Sequence, residues 1–153
     1  MIKINFSASA KRHFNDALLL EESNRLANAG QLYGFCAECG IKALLISLGY
    51  PIDDDGSPLN RKEHKKQDPK IPYIREHINQ LLEIKAEIDT YASGRNGAKY
   101  LALIPSIDSF SDWSVDHRYY AQDQIPSSLP VWKSSATEMM KMMDVISIDG
   151  VLK

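Results

Sequence analysis

The stretch of the chain that most limits its fold is residues 31–48. Leu32, Phe35, Cys36, Cys39, Ala43, Leu44 and Ile46 spread around a helix and do not keep to one stripe. A helix that apolar has to be covered on most of its sides. Gly34, Ala37 and Gly40 recur at three-residue intervals and give it one narrow side. Glycine inside a helix costs about 1 kcal/mol against alanine. The compensation expected is a neighbouring helix at close range. Gly49 and Pro51 end the segment.

The covering helices are legible by period. Residues 9–29 read as a first helix, with Ser7 or Ser9 as N-cap, Phe14, Ala17, Leu18 and Leu26 at helical spacing, and a weak stop at Asn28 to Gly30. A third helix is expected over 73–91, with Pro72 in its first turn and a stripe of Ile74, Ile78, Leu81, Leu82, Ile88 and Tyr91. A short helical turn is expected over 100–104, and a last helix over 129–146 with Val131, Trp132, Met139, Met142 and Met143 facing inward. Strand signals are confined to residues 2–6 and 145–152. Residues 51–72 hold four prolines, an acidic turn at Asp53 to Gly56 and a basic run from Arg61 to Lys70, and read as a surface loop insertion. A loop this long in a compact domain is mobile or functional. The expectation is an all-α bundle of four to five helices in one domain over 1–153.

Composition narrows the function classes. With 153 residues, 44% hydrophobic and 25% charged, the chain suits one soluble domain. A net charge of −2 gives no global pull toward nucleic acid or anionic membrane. No apolar run approaches the roughly 20 residues that span a bilayer, and the first ten residues lack a signal peptide's apolar stretch. The cytoplasm is the expected compartment, and no membrane partner is expected. Phosphate-loop, dinucleotide, zinc-protease and nucleophile-elbow signatures are absent from the sequence. No cofactor and no metal site is expected.

Three constellations remain. Cys36 and Cys39 have C-x-x-C spacing but lie mid-helix with no strand before them, so they read as small buried residues and not as a redox pair. A zinc site needs two further ligands, and His64 and His77 follow no finger-like pattern. Glu38 and Lys42 are spaced for an i,i+4 ion pair within the most apolar helix. They are either a polar site inside the bundle or a solvated pair on its exposed edge. The run from Trp113 to Tyr120 gathers groups that stack and donate hydrogen bonds. Arg118 offers a bidentate fork for carboxylate or phosphate, and His117 an acid or base. Alternatively it is a structural clamp in which Arg118 reaches Glu38 and pins the loop to the second helix, the reading preferred here. The basic run is read as a solvated loop.

Taken together, Ala10 to Ala17, the segment Gly34-Phe-Cys-Ala-Glu38-Cys39-Gly-Ile-Lys42-Ala43-Leu44-Leu45, and Trp113 with Arg118 and Tyr119 resemble the HEPN superfamily of small prokaryotic helical bundles. That resemblance implies an up-and-down bundle that forms a homodimer. Its members include metal-independent ribonucleases of toxin–antitoxin and other defence systems, and non-catalytic partners of nucleotidyltransferases. Catalytic members carry an arginine followed, four to six residues later, by a histidine. Here Arg118 matches the arginine, but Asp123 stands where the histidine is expected. Aspartate beside phosphate adds repulsion, so the departure weighs against catalysis. The expectation is therefore a binding or regulatory module, a homodimer with a nucleotidyltransferase, antitoxin or RNA partner, whose polar site combines Glu38 and Lys42 with Arg118 and Tyr119, Trp113 and Tyr120 being further binding residues. The alternative is a ribonuclease in which Arg118 holds phosphate and His117, Tyr119 or Asp123 handles protons.

Overall fold

The computed structural model describes residues 2–67 and 71–153. Asp68, Pro69 and Lys70, the end of the basic run, lie outside the described residues. The described residues form an all-α helical bundle without strands. Its elements are α1 (Phe6–Glu22), α2 (Leu26–Ser47), α3 (Arg61–His64), α4 (Ile78–Glu83), α5 (Lys85–Ser93), α6 (Ala98–Leu101), three 3-10 turns (Ile107–Asp112, Val115–Tyr119, Gln122–Gln124) and α7 (Leu129–Ile148). None of these helices is long and apolar enough to cross a membrane.

α2 lies at the centre, packed by α1, α4, α7 and the Val115–Tyr119 turn. Its narrow side receives the bulkiest neighbours. A Cβ on Gly34 would lie 2.1 Å from Trp113, and one on Gly40 would lie 2.3 Å from Met139. The expected close approach is therefore real, but an indole and a thioether side chain make it, not helix backbone. One continuous core runs from Ala10 through Tyr33, Leu44, Ile78 and Phe110 to Ile146.

The helix boundaries differ from the sequence reading where local chemistry overrides period. α1 begins earlier, because Asn5 caps it by accepting from the Ala8 N–H at 2.9 Å. It ends at Glu22, because Asn24 adopts φ 58° and the Arg25 N–H returns to the Leu20 carbonyl at 2.8 Å. Asparagine tolerates that left-handed position. Ala29 and Gly30 thus belong to α2. The expected helix over 73–91 is two helices. Tyr73 to Glu76 stay non-helical, held where the Tyr50 hydroxyl donates to the Pro72 carbonyl at 2.6 Å, and α4 and α5 part at Ile84 (φ −111°). Neither strand signal forms a strand. Residues 2–5 are non-helical, and Val145 to Ile148 complete α7.

The loop after α2 is tied down along its described length. The Ile4 N–H donates to the Asp55 carbonyl at 2.7 Å, and Ile52 and Pro58 form an isolated bridge. Arg61 pairs with Glu76 at 3.0 Å and lies 4.3 Å from the Tyr73 ring, and Lys66 pairs with Glu63. Those two members of the basic run are already engaged within the chain.

A methyl at Gly34 has to displace the Trp113 ring. Gly34→Ala is expected to cost about 1–3 kcal/mol in urea unfolding. Gly94→Ala is expected to cost nothing, since Gly94 has right-handed φ and only ordinary contacts beyond 3.4 Å.

Candidate functional site

Two separate polar features emerge, one inside the bundle and one on its surface. The inner one centres on Glu38 of α2. Its Oε2 accepts from Lys42 Nζ at 2.9 Å, and its Oε1 accepts from His77 Nδ1 at 2.8 Å. The Glu38 and Lys42 side chains are 12% and 8% exposed, so the pair is not a solvated edge. His77 is 42% exposed and opens the network to solvent. A carboxylate oxygen only accepts, so Nδ1 carries the hydrogen of this bond. Nε2 has no hydrogen-bond partner among the described residues.

Backbone geometry places each member. Glu38 and Lys42 meet because they are one turn apart on α2. His77 arrives as the N-cap of α4, fixed by its own N–H donating to Gln80 Oε1 at 3.1 Å. Phe35 forms the apolar wall. Its ring lies 5.7 Å from His13, 6.1 Å from His77 and 5.5 Å from Trp113. Lys42 Nζ lies 5.6 Å from the Phe6 ring. Burial, then the Arg12 charge, holds His13 below the usual imidazole range, against the opposing pull of Asp16 and Glu38. Chemically the network offers an oriented imidazole, backed by a carboxylate, at an aromatic surface.

The outer feature is the turn Val115–Tyr119 and its continuation. Arg118, Tyr119 and Tyr120 are exposed, the two tyrosines by 74% and 49%. The guanidinium lies 4.7 Å from the Tyr119 ring, and Arg118 has no carboxylate partner among the described residues. Asp123 is exposed on Gln122–Gln124. The structure places none of these four against Glu38.

The expected Arg118–Glu38 clamp is replaced by other residues, because Lys42 and His77 already occupy both Glu38 oxygens. Trp113 Nε1 donates to the Gly30 carbonyl at 3.0 Å, and Gln31 Nε2 donates to the Ser114 carbonyl at 2.8 Å. Trp113 is 1% exposed, so its face packs on α2 and is closed to a ligand. His117 is 6% exposed, stacked at 22° and 6.1 Å against Trp132, with Nδ1 unpartnered among the described residues. Burial holds its pKa below the usual value against the pull of Asp112 and Asp116. Cys36 and Cys39 are buried free thiols, pushed up to about 12 chiefly by burial.

His77 and Gln31 escaped the sequence reading as site residues. Nothing in the sequence links His77 to Glu38 across 39 positions, although His77 three residues before Gln80 resembles an N-cap with its box partner. No protein-family model, curated protein or solved structure matches the chain. Fold and geometry therefore define it as an all-α bundle with a carboxylate-centred polar network inside and an Arg–Tyr–Tyr ridge outside.

Lys42→Met leaves Glu38 buried with a single donor and is expected to cost about 3 kcal/mol in urea unfolding. Adding Glu38→Leu should recover most of that loss, since removing both charges is far cheaper than stranding one. His117 binds fewer protons folded than unfolded, so its contribution to stability is whole above about pH 6.5 and is lost progressively as pH falls from there through its lower folded value. Between pH 7.5 and 5, His117→Phe is expected to show a shallower decline in unfolding free energy, by at most about 1.4 kcal/mol per pH unit.

Proposed function

We propose that the chain is a helical binding or regulatory module of the HEPN-like, up-and-down type, a cytoplasmic homodimer of prokaryotic defence or toxin–antitoxin systems that works beside a nucleotidyltransferase or antitoxin. It recognises its protein partner through the ridge of Arg118, Tyr119 and Tyr120. The observation that carries this reading is the exposure of those three side chains on a turn anchored by buried Trp113. Arginine and tyrosine are the residue types that dominate binding energy at protein interfaces. Asp116 and Asp123 flank Arg118, so the ridge carries no excess of positive charge. That balance suits a protein surface better than an RNA backbone.

The runner-up is a metal-independent ribonuclease around Arg118. Exposed Asp123 and Tyr119 favour it, and the burial of His117 takes away its nearest base. Purified protein, tested against the products of neighbouring genes by sedimentation and titration, is expected to bind one of them. Arg118→Ala with Tyr119→Ala should weaken that binding about thirtyfold, the scale of a 2 kcal/mol hot spot. Metal-free RNA cleavage that Arg118→Ala abolishes would overturn the binding reading and install the ribonuclease.

A further inference from the structure

A cavity of about 350 Å³ opens among α4, α5, α6 and residues 102–107, and no residue of the Arg118 ridge lines it. Its apolar wall includes Ile41, Ile78, Leu81, Ile88, Ile104 and Ile107, all buried. Short side chains at Ser93, Ala98 and Ala102 complete the lining on the chain's outer side, where all three are exposed. Protein interiors ordinarily close such gaps, and water in an apolar hollow finds few partners.

The polar groups of the lining are already spoken for. Its two charged residues, Lys85 and Asp89, stand one turn apart on α5 and pair with each other at 2.9 Å, each 40% exposed. The two charges cancel at the rim, and neither is left over for a ligand. Ser93 is in water. Among the described residues, the buried side-chain atoms without a hydrogen-bond partner belong to His117 and Ser135, and neither residue lines the cavity. The buried wall therefore offers a ligand apolar contact, with no net charge and no side-chain hydrogen bond waiting to be made.

We infer that this cavity binds an uncharged, largely hydrocarbon small molecule. An apolar cavity of about 150 Å³ accepts benzene, so this one suits a skeleton of roughly ten to fourteen carbons. Affinity comes from the apolar surface the ligand removes from water. A charged relative with the same skeleton has to shed water from its head on entering the hollow. At the rim it meets one like and one opposite charge at similar range, so its attraction and repulsion offset each other. The loss is the same for an anion and for a cation.

Naphthalene, 1-naphthoate and 1-naphthylmethylammonium, titrated at pH 7 into the whole protein and followed by methyl NMR, test the assignment. Naphthalene is expected to bind about tenfold more tightly than either ion. Its ring-current shifts should centre on the methyls of Ile41, Ile78, Leu81, Ile88, Ile104 and Ile107. The two ions should bind alike. Asp89→Asn leaves the Lys85 charge unmatched and should favour naphthoate over the ammonium by about threefold. Lys85→Gln should favour the ammonium to the same degree, and both variants should bind naphthalene as before. Shifts centred elsewhere, an ion that binds as tightly as naphthalene, a preference for one sign of charge in the unsubstituted protein, preferences that do not follow the two substitutions, or no binding of naphthalene overturns the inference.

Discussion

The indole of Trp113 lying on Gly34 is the contact on which the rest of the architecture turns. α2 is too apolar to leave any long side open, and its glycines leave a trough that only a large flat group fills. Trp113 fills it and uses its own N–H on the Gly30 carbonyl. That fixes the path of the chain from Ile107 to Tyr120, a stretch with only 3-10 turns to hold it. From there Trp132 donates to the Ser109 carbonyl and to Asp112, and Asp112 accepts from Ser128, which draws the start of α7 onto the same region. The exposure of Arg118, Tyr119 and Tyr120 is the outer face of this arrangement.

The polar network obeys the same economy. Glu38 and Lys42 lie inside the helix that the fold buries most completely. A buried carboxylate is tolerable only when its oxygens are met. One donor comes from a turn further along α2 and the other from the N-cap of α4. The network therefore links α2 to the start of α4 by a directional bond in addition to their packing.

Much of the helical layout was legible, because apolar period reports burial. Residues 31–48 and 129–146 announced their helices, and Gly49 marked the end of α2 with φ +99°. The errors fell where a single residue or a distant bond decides. Asn24 ends α1 through a left-handed turn that helical period does not register. The strand signal at 145–152, read around Asp149 and Gly150, falls on the last turn of α7 and the non-helical residues after it. In the site, the i,i+4 spacing found Glu38 and Lys42 but not whether they were buried. It missed His77, because no pattern encodes a contact between α2 and the N-cap of α4. The clamp between the aromatic segment and α2 was legible as a need, but its hydrogen bonds run through Trp113 and Gln31, not Arg118.

The three-residue turn around Asn24 also orders the assembly of the molecule. α1 and α2 are joined by residues 23–25 and share the most extensive helix–helix packing in the bundle. Their pairing closes only a short loop and costs little chain entropy. The bond between Trp113 and Gly30 closes a loop of 83 residues, so its entropy falls due only once much of the chain has collapsed. The α1–α2 hairpin is thus the natural folding nucleus, with the trough along α2 open until Trp113 arrives. Until then a nascent chain exposes the most apolar surface it has, and that late closure is where association with other unfolded chains competes with folding.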